Sequence, residues 1–233
     1  MKFFPTTIVD DFFDYPDDVY DLARSVEYND KKESMYPGVL SKEAILELKP
    51  ELQQWFLTKI CTMFWDLRYT EIKWDARMDF MKLEPYPDKD SVLNIGPIHY
   101  DSDKVSCVGL LYLNKGDSLD AGTSFYRKKK EYQFKGLDKQ EKNSTVYVND
   151  YLDPLRKYHS GEDVPNIEEL LENHLNIFEE TARVQAQYNR LVLYSPELWH
   201  GPTTFGEETR YTLRFFVKYF NDENLNYPLI RHR

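Results

Sequence analysis

His99 and Asp101 stand two positions apart in the stretch GPIHYDSDK, residues 96–104. In an extended chain the side chains alternate, so these two residues project to the same side. An imidazole and a carboxylate offered together on one face are two ligands for a single metal ion. Asp103 would share the face but falls further on, in the turn beyond it. A third ligand must come from elsewhere, and YSPELWHGP supplies His200 just after the apolar run RLVLYS. Two histidines and one carboxylate form a facial set suited to non-haem Fe(II), with coordination positions left open for substrate and oxygen. Each member alone has an ordinary alternative: a His-x-Asp triplet arises readily by chance, and His200 also suits a turn that caps a strand.

The last strand adds a second kind of chemistry. In RYTLRFFVKYF one alternating face is Tyr211, Leu213, Phe215, Val217 and Tyr219, uniformly apolar, and the other is Arg210, Thr212, Arg214 and Phe216. A plain sandwich strand would turn that second face to water. Arg210, however, follows His200 by ten positions, close enough to return alongside a metal held there. A guanidinium fork aimed inward is suited to binding a carboxylate through two parallel hydrogen bonds.

The elements that must position these groups read as helices first and strands later. DYPDDVYDLARSVEY has a proline and acids in its first turn and an apolar stripe of Val19, Leu22, Ala23 and Val26, which predicts a helix. MYPGV (35–39) predicts a turn, and a second helical region begins near Ser41 and restarts at Pro50. From about residue 74, RMDFMKL, KVSCVGLLYLN, AGTSFYR, RLVLYS and RYTLRFFVKYF predict short strands. Short strands with long connections favour an antiparallel sandwich or jelly roll over a parallel α/β sheet. Residues 127–187 form an insertion, with a helix predicted over NIEELLENHLNIFEETA. His174 lies in that helix's apolar stripe and reads as a core or interface histidine, while His159 and His232 sit in polar surroundings.

Composition sets the outer bounds. A chain of 233 residues with 41% hydrophobic and 15% aromatic content is one generous domain with a packed core. The formal net charge of −10 argues against duplex nucleic acid or anionic lipid as the main partner. The one basic cluster, RKKK at 127–130, reads as a solvated turn. Cys61 and Cys107 are too few for a disulfide framework and lack zinc-ligand spacing. The opening MKFFPTTIVDDFFDYPDD turns acidic before a signal-peptide core could form, and no apolar run approaches spanning length. The expectation is a soluble cytoplasmic protein, with its oligomeric state left open.

HYD, YLN (112–114), AGTSF (121–125), WH and RYT occur in that order. In this the chain resembles the Fe(II)/2-oxoglutarate-dependent dioxygenase superfamily, and within it the prolyl-4-hydroxylase-like branch of bacterial and phage type. Ala121 stands where the family usually has a first glycine, and the insertion 127–187 is not covered. The resemblance implies a double-stranded β-helix (jelly-roll or cupin-like) core, mostly β with flanking helices. Residues 1–73 would be a helical lead-in, 74–126 and 188–220 the core, and 127–187 a helical insertion and possible lid. It implies His99, Asp101 and His200 as ligands of Fe(II), with 2-oxoglutarate and O2 as co-substrates. Arg210 would pair with the distal carboxylate of 2-oxoglutarate, assisted by Thr212 and Tyr112, and Arg214 is either an alternative anchor or a substrate contact. Tyr100, Tyr126 and Trp199 are further candidates for the substrate pocket. Related halogenases leave a gap where Asp101 stands, so the carboxylate implies hydroxylation or another oxidation, with release of succinate and CO2. The substrate would be a small, amino-acid-like molecule or a peptidyl side chain. Two other readings stay open: a cupin-type metal dioxygenase that does not use 2-oxoglutarate, and a non-enzymatic jelly-roll binding or assembly module. The first has no use for the pair Arg210 and Thr212, and in the second the polar strand faces would contact a partner.

Overall fold

The computed structural model describes residues 6–30, 37–65, 73–101, 105–116, 120–133 and 153–220. Among them run strands β1 (Thr7–Val9), β2 (Gly38–Leu40), β3 (Trp74–Leu83), β4 (Cys107–Tyr112), β5 (Gly122–Lys128), β6 (Phe178–Gln185), β7 (Leu191–Tyr194), β8 (Trp199–Pro202) and β9 (Arg210–Phe220). They form two sheets, in the orders β1-β7-β4-β9-β3-β2 and β6-β5-β8. All the pairings within them are antiparallel.

Helices cover one face of the larger sheet. The first, α1 (Pro16–Ser25), starts on its proline with Asp17 and Asp18 in the first turn and Arg24 in the last, so its charges complement the helix dipole. It is followed by α2 (Ile45–Leu48) and α3 (Pro50–Phe64), as the restart at Pro50 predicts. Phe12, Ala23, Ile45, Phe56, Leu57 and Ile60 meet Met78, Phe80, Leu111, Leu213, Phe215 and Val217 in one buried cluster. A second, smaller cluster joins the two sheets: Val108, Tyr112, Val192 and Tyr194 pack with Ala121, Phe125 and Val184. Functional side chains can therefore gather only between the sheets, because the other face of the larger sheet is sealed by helices. No helix among the described residues is long and apolar enough to cross a membrane.

The structure corrects three local expectations. MYPGV is not simply a turn: Gly38–Leu40 is a strand paired with β3. A Cβ on Gly38 would sit 2.6 Å from the Lys82 carbonyl oxygen, so the glycine permits a close approach of two backbones. Met35 and Tyr36 of that motif lie outside the described residues.

The predicted helix over 166–182 is also shorter. The chain runs as a helix, here α6, over Ile167–Leu175, preceded by α4 (Lys130–Gln133) and α5 (Asp153–His159), and Phe178–Gln185 then pairs with β5. Glu179, Glu180 and Ala182 favour helix locally, but antiparallel pairing with β5, interrupted by one register shift, overrides that preference. The segment expected as an insertion thus supplies an edge strand of the smaller sheet.

Finally, RKKK is not a solvated turn. Arg127 and Lys128 belong to β5, and Lys128 is buried with its ammonium 5.1 Å from the centroid of the Trp199 ring. Its aliphatic stem is packed while the charge lies against an aromatic face.

Candidate metal centre and cavity

The ligand candidates are brought together by one small piece of backbone pairing. His99 and His200 form an isolated antiparallel bridge, each amide donating to the other's carbonyl at 2.8 Å. The two imidazoles lie side by side, with ring centroids 4.5 Å apart. The amide of Asp101 donates to the Pro196 carbonyl at 2.9 Å, which keeps the chain extended past His99 and returns the carboxylate to the same side. His200 sits in β8 itself rather than just after a strand. Ligand atoms of His99, Asp101 and His200 all lie within 4.8 Å of one another. Asp103 is outside the described residues.

Hydrogen bonding decides which ring nitrogens are available. His99 Nδ1 donates to the Pro97 carbonyl at 3.0 Å, and His200 Nδ1 donates to the Leu198 carbonyl at 2.8 Å. A carbonyl oxygen only accepts, so both Nδ1 atoms carry a proton, and in the neutral form of each ring Nε2 is the nitrogen with the lone pair. Burial pushes the His200 imidazole down to about 4, with the nearby Asp101 carboxylate opposing the shift, so His200 is neutral at pH 7. His200 Nε2 lies 3.3 Å from Asp101 Oδ2. Three such donor groups converging, with His200 buried and His99 and Asp101 half-buried, fit a divalent cation.

Beside this centre lies a cavity of about 310 Å³, lined by all three residues and by Tyr112, Arg210 and Thr212 among others. Arg210 is 5% exposed. Its Nη2 donates to the Thr204 carbonyl at 2.9 Å, whereas its Nε and the Thr212 hydroxyl, both buried, have no hydrogen-bond partner among the described residues. No carboxylate pairs with Arg210 among the described residues, and burial lowers its guanidinium to about 10, still charged at pH 7. Tyr112 shares a hydrogen bond of 2.7 Å with the Thr123 hydroxyl, and burial raises its phenol to about 12, keeping it a neutral donor. Cation, hydroxyl and phenol reach the same cavity because Tyr112 and Thr212 are register partners in neighbouring strands.

Gly122, also on the cavity wall, has φ 154°. A Cβ there would lie 2.0 Å from the Val184 carbonyl oxygen, so only glycine fits. Its neighbour Ala121 is buried among β5 contacts, which accommodates the departure from a double glycine.

The other candidates divide. Arg214 and Tyr100 line the cavity. Trp199 and Tyr126 do not line it among the described residues; they are register partners on β8 and β5. Trp199 instead packs on Tyr100 (4.5 Å) and Phe178 (4.9 Å), a buttress one layer behind the cavity wall. Two further residues were not singled out from sequence as site residues. His174, read as a core histidine, is buried and its Nε2 donates to the Ile98 carbonyl at 2.8 Å, steadying the backbone next to His99. Asp79, in the alternating run RMDFMKL, is completely buried between two arginines. Its one sequence signal was an acid in the middle of a strand.

The fold is similar to that of solved proteins that use or bind 2-oxoglutarate. HygX from Streptomyces hygroscopicus, solved with nickel and 2-oxoglutarate bound, aligns over 91% of this chain and 82% of its own, at TM-score 0.51 and 8% identity. The non-heme alpha-ketoglutarate-dependent epimerase SnoN from nogalamycin biosynthesis aligns over 91% and 78%, at TM-score 0.50 and 8% identity. A Pseudomonas putida prolyl-4-hydroxylase covers 91% of both chains at TM-score 0.47 and 13% identity. No curated protein matches the chain. Residues 4–209 match the family described as a family of unknown function, DUF6445, and the chain belongs to that family.

Proposed function

We propose that this chain is an Fe(II)- and 2-oxoglutarate-dependent oxygenase built on a double-stranded β-helix. It would hydroxylate, or otherwise oxidise, a small molecule or a peptidyl side chain, releasing succinate and CO2. The observation that carries this reading is the buried, uncompensated Arg210 in the same cavity as an all-acceptor His99–Asp101–His200 set. A charge taken out of water without a partner costs several kcal/mol, so the cavity is matched to an anion that also reaches a metal. 2-Oxoglutarate has that form, with a chelating keto-acid at one end and a carboxylate at the other.

When bound, Fe(II) would supply the oxidising chemistry with O2, and the chain's own residues bind and orient. His99, Asp101 and His200 hold the ion through two Nε2 atoms and one carboxylate, with the tautomers set by the Pro97 and Leu198 carbonyls. Arg210 and the Thr212 hydroxyl receive the distal carboxylate, and Tyr112 donates to it from the adjacent strand. Asp101 would hold the ion where a halogenase would leave a gap for halide, which supports oxygen insertion over halogenation. The buried free thiols of Cys61 and Cys107 are consistent with a reducing, cytoplasmic setting.

Anaerobic addition of Fe(II) and 2-oxoglutarate tests this directly. The expected result is a weak visible charge-transfer band, then succinate when oxygen is admitted. A protein that gives neither is not a 2-oxoglutarate oxygenase.

A further inference from the structure

Further along the same strand face lies a second cation. Arg214 lines the cavity four residues beyond Arg210, a Cα separation of about 13 Å at the usual strand rise. Unlike Arg210 it is braced. Asp79 on β3 is its register partner, and Arg214 Nη2 meets Asp79 Oδ2 at 3.3 Å. The Asp79 carboxylate, 0% exposed, also accepts from Arg77 Nε at 3.1 and 3.0 Å. Asp79 thus receives two guanidiniums, one from its own strand and one from β9. Arg77 points largely to solvent, with 58% of its side chain exposed, whereas Arg214 turns its remaining surface to the cavity.

A purely mechanical role for this cluster is poorly motivated. β3 and β9 are already paired from Trp74 to Leu83, and a buried ion pair adds little net stability to a ladder of that length. A carboxylate that locks a guanidinium in one direction does, however, lower the ordering cost when that guanidinium binds a ligand. The wall near Arg214 is otherwise apolar, formed by Met81, Val108, Leu110 and Phe216.

We propose that Arg214, oriented by Asp79, anchors a carboxylate of the primary substrate, a small organic acid with an uncharged middle. This rests on the reading of Arg210 as the 2-oxoglutarate anchor. A guanidinium fork held in one direction beside an apolar wall suits the planar pair of oxygens of a carboxylate. Asp79 is a positioning residue in this scheme, and Arg214 makes the contact.

The probes are butanoate, hexanoate and octanoate, each beside its primary amide, titrated by calorimetry into the full chain loaded with Zn(II) and saturating 2-oxoglutarate. At least one carboxylate should bind at least about tenfold tighter than its amide, the loss expected for one charge-assisted hydrogen-bond pair. Arg214→Lys, which keeps a cation on Asp79 but not the fork, should raise that Kd by a similar factor with an unchanged circular-dichroism spectrum. Equal binding of acid and amide, no saturable binding by any probe, a Kd unmoved in Arg214→Lys, or a Kd that rises with 2-oxoglutarate concentration overturns the proposal. The prior titration of 2-oxoglutarate into the metal-loaded protein separates the two readings. Failure there removes both, whereas success there with any of those four results removes only the Arg214 anchor.

Discussion

The two faces of β9 share one backbone and are built to opposite specifications. Leu213, Phe215 and Val217 point at the helices and are completely buried in an apolar cluster where shape alone is at stake. Arg210, Thr212, Arg214 and Phe216 point the other way and line the cavity between the sheets. Two buried polar atoms there, Arg210 Nε and Thr212 Oγ1, have no hydrogen-bond partner among the described residues. The contrast shows where this fold concentrates stability and where it gives stability up. The helix-covered face can bear the cost of an uncompensated cation on the cavity face, because neighbouring residues of a strand are separated by the sheet itself.

That division can be broken at several points. The largest effect is expected at the ligand set: Asp101→Ala should abolish succinate formation while leaving the melting temperature of the metal-free protein nearly unchanged. Unchanged turnover would remove Asp101 from the ligand set.

Phe215→Ala should do the reverse. Phe215 packs 5.0 Å from Phe56 at the centre of the helix-facing cluster, and its truncation should lower stability by about 3–5 kcal/mol in denaturant unfolding. The 2-oxoglutarate affinity of the folded fraction should stay within about twofold of the parent, since the two faces share no side chain. A loss of affinity as large as the loss of stability would mean that the faces are coupled.

Arg210→Met sharpens the comparison from the cavity side. Its 2-oxoglutarate Kd should rise roughly 30-fold or more, for a loss of about 2–5 kcal/mol of binding. Without 2-oxoglutarate, its melting temperature should hold or increase, because the substitution removes a buried charge that lacks a counter-ion. A clear drop in that temperature would assign Arg210 a structural role.

The smallest expected effect is a pH dependence. Burial holds His159 and His174 down to about 4, against an ordinary 6.5, so both are neutral in the native state. The unfolded chain binds protons on these residues below about 6.5. Their stabilising contribution is therefore complete above that pH and is lost as pH falls toward 4. Melting temperature followed from pH 7 to 4 should decline across this window, and His174→Gln should flatten part of the decline. An unaltered slope in that variant would show that His174 is not among the groups responsible.

Much of the site was legible in the chain because it is written with local periodicities. The two-residue spacing of His99 and Asp101 and the alternation along Arg210–Phe216 translate directly into shared faces. The helix starts at Pro16 and Pro50 were legible for the same reason, since first-turn chemistry is local. What escaped was set by distant partners. Glu179, Glu180 and Ala182 spell helix until β5 offers them a ladder, and Lys128 spells solvent until Trp199 lies beneath it. Asp79 looked like one acid in an alternating strand, and its meaning depends on Arg214, far away in sequence but opposite in register.

By itself, then, the sequence determined the kinds of groups available, the faces they share and the order in which they occur, because strand and helix periods are properties of the backbone. Tertiary structure alone decided that His99 and His200 bridge, which nitrogens keep their lone pairs, and that the two strand arginines have different surroundings. Arg210 is buried with no carboxylate paired to it among the described residues, and Arg214 is buttressed by Asp79. The physical reason is that desolvation and pairing depend on what is packed nearby in space, and no spacing along the chain encodes that distance.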